Sequence, residues 1–244
     1  MRPMTQLCRL ILSGFMLLAI NANAGDLKPY KISYTAKYTF LLPFNGTATR
    51  ELSQSENGDW TISHKVVSSL IQLDETSHFR MKDSRIIASQ YEYIQTGLGR
   101  KRHTLIEFDW NNKKVVGSSI KKKAFSYDLQ QGTLDKLTYQ LQLRRDLMAG
   151  NEYGNYRIAD IGRTKEYAFE FLGEELLNTE VGQLNTLKLR RKRDPDAARE
   201  TLVWLATDWD YLVVQLHQIE KGKLYKIMVT KASLDGESMT GVAP

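Results

Sequence analysis

YKISYTAKYTFLL, residues Tyr30–Leu42, is the stretch that decides the fold. Aromatic and apolar side chains occupy every second position and alternate with lysine, serine and threonine. This period of two is typical of a β-strand with one buried face and one face in water. Pro43 ends the strand, and Asn45 and Gly46 favour a tight turn. The stretch therefore predicts the first strand of a sheet that is wet on one side.

The same alternation recurs along most of the chain, for example in Trp60–Val66, Thr104–Trp110 and Tyr211–Glu220. Turn residues separate these segments at a spacing of about ten residues, which indicates antiparallel strands rather than βαβ units. A sheet with so many strands must curl, close or split into two layers. The sequence therefore predicts a mainly β fold: a single-domain antiparallel curved sheet, an open barrel or a two-layer sandwich.

One segment departs from this pattern. Over Leu134–Ala149 the apolar residues fall at helical spacing, with Thr133 placed as N-cap and Gly150 placed to end the helix. We therefore expect one amphipathic helix, at about residues 134–149, that packs its leucine stripe on the sheet.

The N-terminus has the three zones of a secretory signal peptide. Arg2 and Arg9 give a positive start, Leu10–Ile20 is an apolar run, and the small residues Ala22 and Ala24 precede a cleavage site. The run is shorter than the roughly 20 apolar residues that a membrane-spanning helix needs. Residues 1–24 are therefore predicted to be cleaved, and the protein to be exported to the periplasm of a Gram-negative bacterium.

The rest of the chain is predicted to form one β-rich domain over residues 25–235, followed by a disordered tail over 236–244. It contains no further stretch apolar enough for a transmembrane span. The one cysteine, Cys8, lies in the signal peptide, so neither a disulfide nor a thiolate metal site is expected. The net charge of +6, less Arg2 and Arg9, leaves +4, which does not argue for nucleic acid as a partner of an exported protein.

No catalytic, metal-binding or cofactor motif is present, but two sets of residues are candidates for binding. The run from Arg190 to Arg193 places basic side chains on both faces of a strand, so we expect this strand end to project into solvent. It serves either as a solvated, aggregation-blocking end or as a rim for anions and lipid headgroups. The candidate rim comprises Arg190, Arg191, Lys192, Arg193, Lys121, Lys122 and Lys123. Aromatic residues that serve either as core or as pocket lining are Tyr34, Tyr38, Trp60, Phe79 and Trp204.

Several stretches resemble an uncharacterised exported bacterial family, domain of unknown function 3108. Tyr30–Tyr38 is similar to its opening strand, Leu134–Leu147 to its helix, and Gly182–Arg190, Trp204–Asp208 and Tyr211–Val214 to its closing strands. The resemblance covers almost the whole mature chain. It implies a periplasmic, mainly antiparallel β protein and supplies no catalytic residues.

These observations lead to three hypotheses. The first is a monomeric, non-enzymatic periplasmic protein, without cofactor, that binds an apolar or amphipathic ligand in a curved β-sheet. The second is an envelope assembly or interaction factor that uses a strand edge or the basic rim. The third is a hydrolase of a cell-envelope polymer, which would need two carboxyl groups about 5–10 Å apart in a cleft.

Overall fold

A computed structural model of the protein describes residues 26–39, 44–97, 99–151, 154–193 and 198–243. The predicted signal peptide, residues 1–24, lies outside the described residues. Within them the chain forms seventeen strands, one α-helix and a short 3-10 turn. No helix in these ranges combines the length and apolar character needed to cross a membrane.

Strands of five to thirteen residues make up most of the chain. The helix α1 is Thr138–Met148, and the 3-10 turn is Thr207–Trp209. The strands are β1 (Tyr30–Thr39), β2 (Phe44–Gln54), β3 (Trp60–Ser68), β4 (Ile71–Lys82), β5 (Arg85–Gly97), β6 (Arg100–Asp109), β7 (Lys114–Ser119), β8 (Phe125–Asp128), β9 (Thr133–Leu134), β10 (Tyr156–Asp160), β11 (Arg163–Tyr167), β12 (Phe169–Thr179), β13 (Gly182–Arg191), β14 (Arg199–Ala206), β15 (Leu212–Glu220), β16 (Lys223–Leu234) and β17 (Glu237–Met239).

Fourteen of these strands form one curved antiparallel sheet. Its order is β12-β13-β14-β15-β16-β1-β2-β3-β4-β5-β6-β7-β8, with β17 added beside β16. β12 and β8 stand at the two ends of this path, and no described residues pair them, so the sheet is not closed into a barrel. The prediction of a mainly β fold built on an antiparallel curved sheet is confirmed.

A small sheet, β11-β10-β9, lies between the two free ends. On one side, the Tyr127 hydroxyl of β8 donates to the carbonyl of Asp160 on β10 at 3.0 Å. On the other side, the ring of Tyr139 on α1 lies 5.3 Å from that of Tyr167 and 6.0 Å from that of Phe169, which opens β12. The small sheet and the helix therefore bridge the gap that the large sheet leaves.

The helix begins four residues later than the sequence predicts, at Thr138. Thr133 and Leu134 pair with β10 in the small sheet instead, so Thr133 is not the N-cap. The Asp135 carboxylate replaces it, because its Oδ1 accepts the backbone N–H groups of Leu137 and Thr138 at 2.8 and 2.9 Å. The predicted end is confirmed: Gly150 follows the C-cap with a φ of 70°, a conformation that glycine adopts without strain.

The C-terminal segment also differs from the prediction of a disordered tail over 236–244. Glu237–Met239 forms β17 and pairs with the end of β16. Further on, the backbone N–H of Val242 donates to the carbonyl of Gln183 at 2.9 Å. The segment stays ordered because it satisfies backbone groups at the edges of two strands, which its polar composition does not reveal.

The concave face of the sheet is solidly packed at the end that α1 covers. There the Ser77 hydroxyl of β4 donates to Asp135 Oδ2 at 2.6 Å, and Arg50 of β2 donates to Gln140 of α1 at 2.6 Å. We call this end the packed half. Its inward side chains, at most 1% exposed, include Ile32, Leu52, Ile62, Ser77, Tyr91 and Ile106.

The Asp135 carboxylate provides a test of how the helix is held. In Asp135→Ala the helix loses its cap and the Ser77 hydroxyl loses its buried acceptor, so we expect the free energy of unfolding to fall by about 3 kcal/mol. Urea denaturation measures the change. The matched control is Asp128→Ala, which removes an exposed ion pair with Lys114 and should cost about 0.5 kcal/mol or less. Equal losses in the two variants would contradict the assigned role of Asp135.

Candidate functional site

The exposure of inward side chains changes along several strands. On β4, Ser77 is fully buried whereas Leu73, which points to the same side, is partly exposed. On β5, Tyr91 is fully buried and Gln95 partly exposed. The inward face is therefore closed to solvent at one end of these strands and reached by solvent at the other. We call the second end the open half. Its inward side chains include Tyr38, Leu73, Gln95, Arg191, Leu216, Gln218 and Tyr225.

A row of polar side chains marks the boundary between the two halves. Consecutive antiparallel pairs run Arg50↔His64, His64↔Glu75, Glu75↔Tyr93 and Tyr93↔Thr104, so the row crosses five neighbouring strands from β2 to β6. Polar groups on an inward face are costly unless they are hydrogen-bonded or meet water or a ligand. Their alignment across five strands makes the row the polar floor of the open half.

Arg50 and Glu75 are the charged members of this row. Arg50 is 5% exposed, and its Nε has no hydrogen-bond partner in the described part of the chain. Glu75 accepts the Tyr91 hydroxyl at 2.5 Å. Burial raises the pKa of Glu75, although the Tyr91 hydrogen bond and the charges of Lys136 and Arg50 oppose the rise. The row thus presents one guanidinium with an unused donor beside a carboxyl group that protonates more readily than usual.

His64 lies between them and is 8% exposed. Burial, together with the positive charge of Arg50, lowers the pKa of His64 to about 3. Its imidazole is therefore neutral at physiological pH, and its Nδ1 has no hydrogen-bond partner among the described residues.

Charged groups from distant strands converge on the open half. Burial and the nearby Glu75 raise the pKa of Tyr93, whereas Arg102 and Arg199 lower it. Arg199 lies on β14 and Tyr93 on β5, seven positions apart in the sheet order.

The carboxyl groups here do not form an exposed catalytic pair. Asp135, whose charge acts on Glu75, is fully buried. Both of its oxygens already accept hydrogen bonds from Ser77, Leu137 and Thr138. It therefore cannot reach a substrate in the cleft. Across the described ranges there is also no cluster of three or more His, Cys, Asp or Glu side chains suited to a metal ion.

The residues of the predicted basic rim lie on different elements. Arg190 points outward and pairs with Glu170 and Glu200, each at 3.0 Å. Lys192 is also exposed, whereas Arg191 and Arg193 are partly buried, so the strand end does not project into solvent as expected. Lys121, Lys122 and Lys123 are exposed in the connection between β7 and β8, at the opposite end of the sheet path.

The aromatic residues predicted to serve as core or pocket lining lie in three different environments. Tyr34, Trp60 and Phe79 are at most 5% exposed and belong to the core: the Tyr34 hydroxyl donates to the carbonyl of Val213 at 2.8 Å, and Trp60 stacks on Phe79. Trp204 lies on the convex face, where its ring contacts that of His217 in a tilted arrangement, with the ring centres 4.6 Å apart. Of the five, Tyr38 alone faces the open half, opposite Tyr225.

Sequence reasoning did not single out the polar row. One signal was available: Glu75 shares the alternating face of β4 with Leu73, Ser77 and Phe79, and a carboxylate on an otherwise apolar face is unusual. Tyr93 of β5, a member of the row, and Arg199 of β14, which lowers its pKa, had no comparable signal, because their convergence depends on the curl of the sheet.

Comparison with known proteins agrees with this fold. A curved antiparallel sheet bridged by one helix defines a β-barrel-like protein. The family model for "Protein of unknown function (DUF3108)" matches residues 30–230, so the chain belongs to this family. No curated protein matches the chain.

Among solved structures, the chain is similar to a β-barrel-like protein of another domain of unknown function, DUF1849, from Brucella abortus. The TM-score is 0.59 at 11% sequence identity, and the match covers 86% of this chain and 99% of the other. At this identity the similarity supports the fold and nothing more specific.

The buried imidazole provides a test of the polar row by pH. His64 binds a proton with a pKa near 6.5 when unfolded but near 3 when folded, so acid favours the unfolded state. Its contribution to stability is complete above about pH 6.5 and falls by about 1 kcal/mol per pH unit below that.

We therefore expect the free energy of unfolding of His64→Gln to fall less steeply than that of the wild type between pH 6 and pH 4, in urea titrations. The control is His78→Gln, because His78 lies on the exposed face of β4. A wild-type slope in His64→Gln would show that the imidazole is not buried as described.

Proposed function

We propose that this protein is a non-enzymatic periplasmic binding protein whose open half holds an amphipathic ligand. One observation carries the proposal: on several strands, such as β4 and β5, inward side chains are fully buried at one end and partly exposed at the other. Ligand sites in proteins are concave and mostly apolar, with a few polar groups that fix orientation. The open half has this character, since it combines Leu73 and Leu216 with Tyr225 and the polar row.

The proposed location rests on the signal-peptide pattern of residues 1–24, and the absence of enzymatic activity rests on the occupied carboxylate of Asp135. The apolar part of a ligand would pack against the leucine and tyrosine side chains of the open half. Its polar part would contact Arg50 or Arg191. Native mass spectrometry of protein recovered from the periplasm of its own organism should therefore show a mass excess that organic extraction removes.

A pair of substitutions on one strand tests where the ligand lies. Leu73→Trp fills part of the open half, so we expect the affinity for a fluorescent fatty-acid probe to fall at least about tenfold. Gln72→Trp adds the same bulk to the exposed face of the same strand and should bind like the wild type. The measurement is a fluorescence titration of delipidated protein, with urea midpoints to confirm that both variants are folded.

Equal binding by the two variants would overturn the proposal. An interaction role for the edge strand β12 would then be better supported. Three apolar side chains on that strand are exposed: Phe171 by 48%, Leu172 by 38% and Leu176 by 57%. Edge strands with exposed apolar residues are sites at which another chain can add.

A further inference from the structure

The strand alternation places three arginines at the mouth of the open half. Leu189 of β13 and Val203 of β14 are paired, buried and inward. Two residues further along β13, Arg191 therefore also faces inward. The pairing of these strands ends at Arg190↔Leu202, and beyond it Arg193 lies close enough to Arg191 and Arg199 for their charges to act on it.

The hydrogen-bonding capacity of these arginines is only partly used. The Nε atoms of Arg191 and Arg193 are buried and have no partner among the described residues. Thr201 lies between Arg199 and Val203 on the inward face of β14. Its hydroxyl oxygen is also buried without a hydrogen-bond partner among the described residues. Buried donors without a partner are uncommon in folded proteins, and each calls for an acceptor that completes the site.

The guanidinium groups are oriented rather than free to rotate. The Arg191 guanidinium lies over the Tyr167 ring, with Cζ 3.0 Å from the ring centre, and this cation–π contact holds it against the ring. Arg199 donates from Nε to Glu220 at 3.0 Å, which fixes its position and neutralises one charge. Burial and the neighbouring Arg191 and Arg199 lower the pKa of Arg193, as expected for cations held close together.

Since Glu220 offsets the charge of Arg199, Arg191 and Arg193 leave an excess of positive charge at this mouth among the described residues. Arg102, which acts on Tyr93, adds a further cation from β6, and Glu75 also acts on Tyr93. Such an excess attracts an anion and raises its local concentration.

We propose that Arg191, Arg193 and Arg199 bind a phosphate group, carried by the ligand whose apolar part occupies the open half. A guanidinium offers parallel N–H donors that suit two oxygens at once. A phosphate presents three or four oxygens to several guanidiniums, whereas a carboxylate presents two. The binding of the ligand's apolar part rests on the proposed function. The binding of the phosphate group by the arginines does not depend on it.

Three probes separate the phosphate group from the acyl chains: dihexanoyl phosphatidic acid, dihexanoylglycerol and inorganic phosphate. In calorimetric titrations at low salt we expect the delipidated protein to bind phosphatidic acid at least about tenfold more tightly than either other probe. Arg193→Gln should remove about tenfold of that affinity and leave dihexanoylglycerol binding unchanged. Arg193→Lys keeps the charge without the paired donors and should recover only part of the loss.

Lys192→Gln is the matched control. It removes the same charge from the adjacent residue, whose side chain is exposed on the other face, and should bind phosphatidic acid like the wild type. Urea midpoints of all three variants show whether they fold, and only folded variants are compared. Arg199→Gln serves as a second variant with the same expected loss. Arg199 is the arginine of the three that also donates to Glu220.

The outcomes separate this inference from the proposed function. If inorganic phosphate binds as tightly as phosphatidic acid and depends on Arg193, the arginine site is supported with a free phosphate as its ligand, and the amphipathic-ligand function fails. A second outcome is that Leu73→Trp weakens dihexanoylglycerol binding, while phosphatidic acid binds no more tightly than dihexanoylglycerol and Arg193→Gln does not change its affinity. The pocket is then supported and the arginine site is overturned. Tighter binding of decanoate than of phosphatidic acid, with the same arginine dependence, would overturn the choice of phosphate.

Discussion

One buried carboxylate, that of Asp135, joins the helix to the sheet, and the division of the interior depends on it. In the described part of the chain the first and last strands of the curved sheet do not pair with each other, so the sheet alone does not close around a core. Asp135 accepts a hydrogen bond from Ser77 and two backbone N–H groups at the start of α1. This anchors α1 over one end of the concave face and leaves the other end open, because the described part of the chain contains no second helix to cover it.

The placement of polar residues follows from this division. Under the helix the inward side chains are mainly apolar and fully buried, and further along the same strands they become tyrosine, glutamine, glutamate and arginine. Charged groups deep in a filled core would be strongly destabilising unless paired. At the edge of an open space they keep access to water or to a ligand, so the chain tolerates Glu75 and the arginines of β13 and β14 on inward faces.

Local alternation was enough to predict much of the fold. In Tyr30–Thr39 the predicted buried side chains are the ones that face the interior, since a period of two fixes which residues share a side. It does not fix which side of a strand becomes concave. For this reason Trp204, adjacent to a β-bulge, lies on the convex face, and Arg191 and Arg193 turn inward while Arg190 meets solvent. The helix start was missed because the pairing of Thr133 with β10 depends on a contact distant in sequence.

Hydroxyl-radical footprinting of tyrosines in the ligand-free protein tests the central claim most directly. Tyr91 and Tyr93 are two residues apart on β5 and face the same side. Tyr34 and Tyr38 are four residues apart on β1 and also face the same side. The account predicts that Tyr93 and Tyr38 are oxidised, because they line the open half, whereas Tyr91 and Tyr34, at 0% and 1% exposed, are protected. Equal protection of both members of each pair would show that the interior is filled from end to end and would contradict the account.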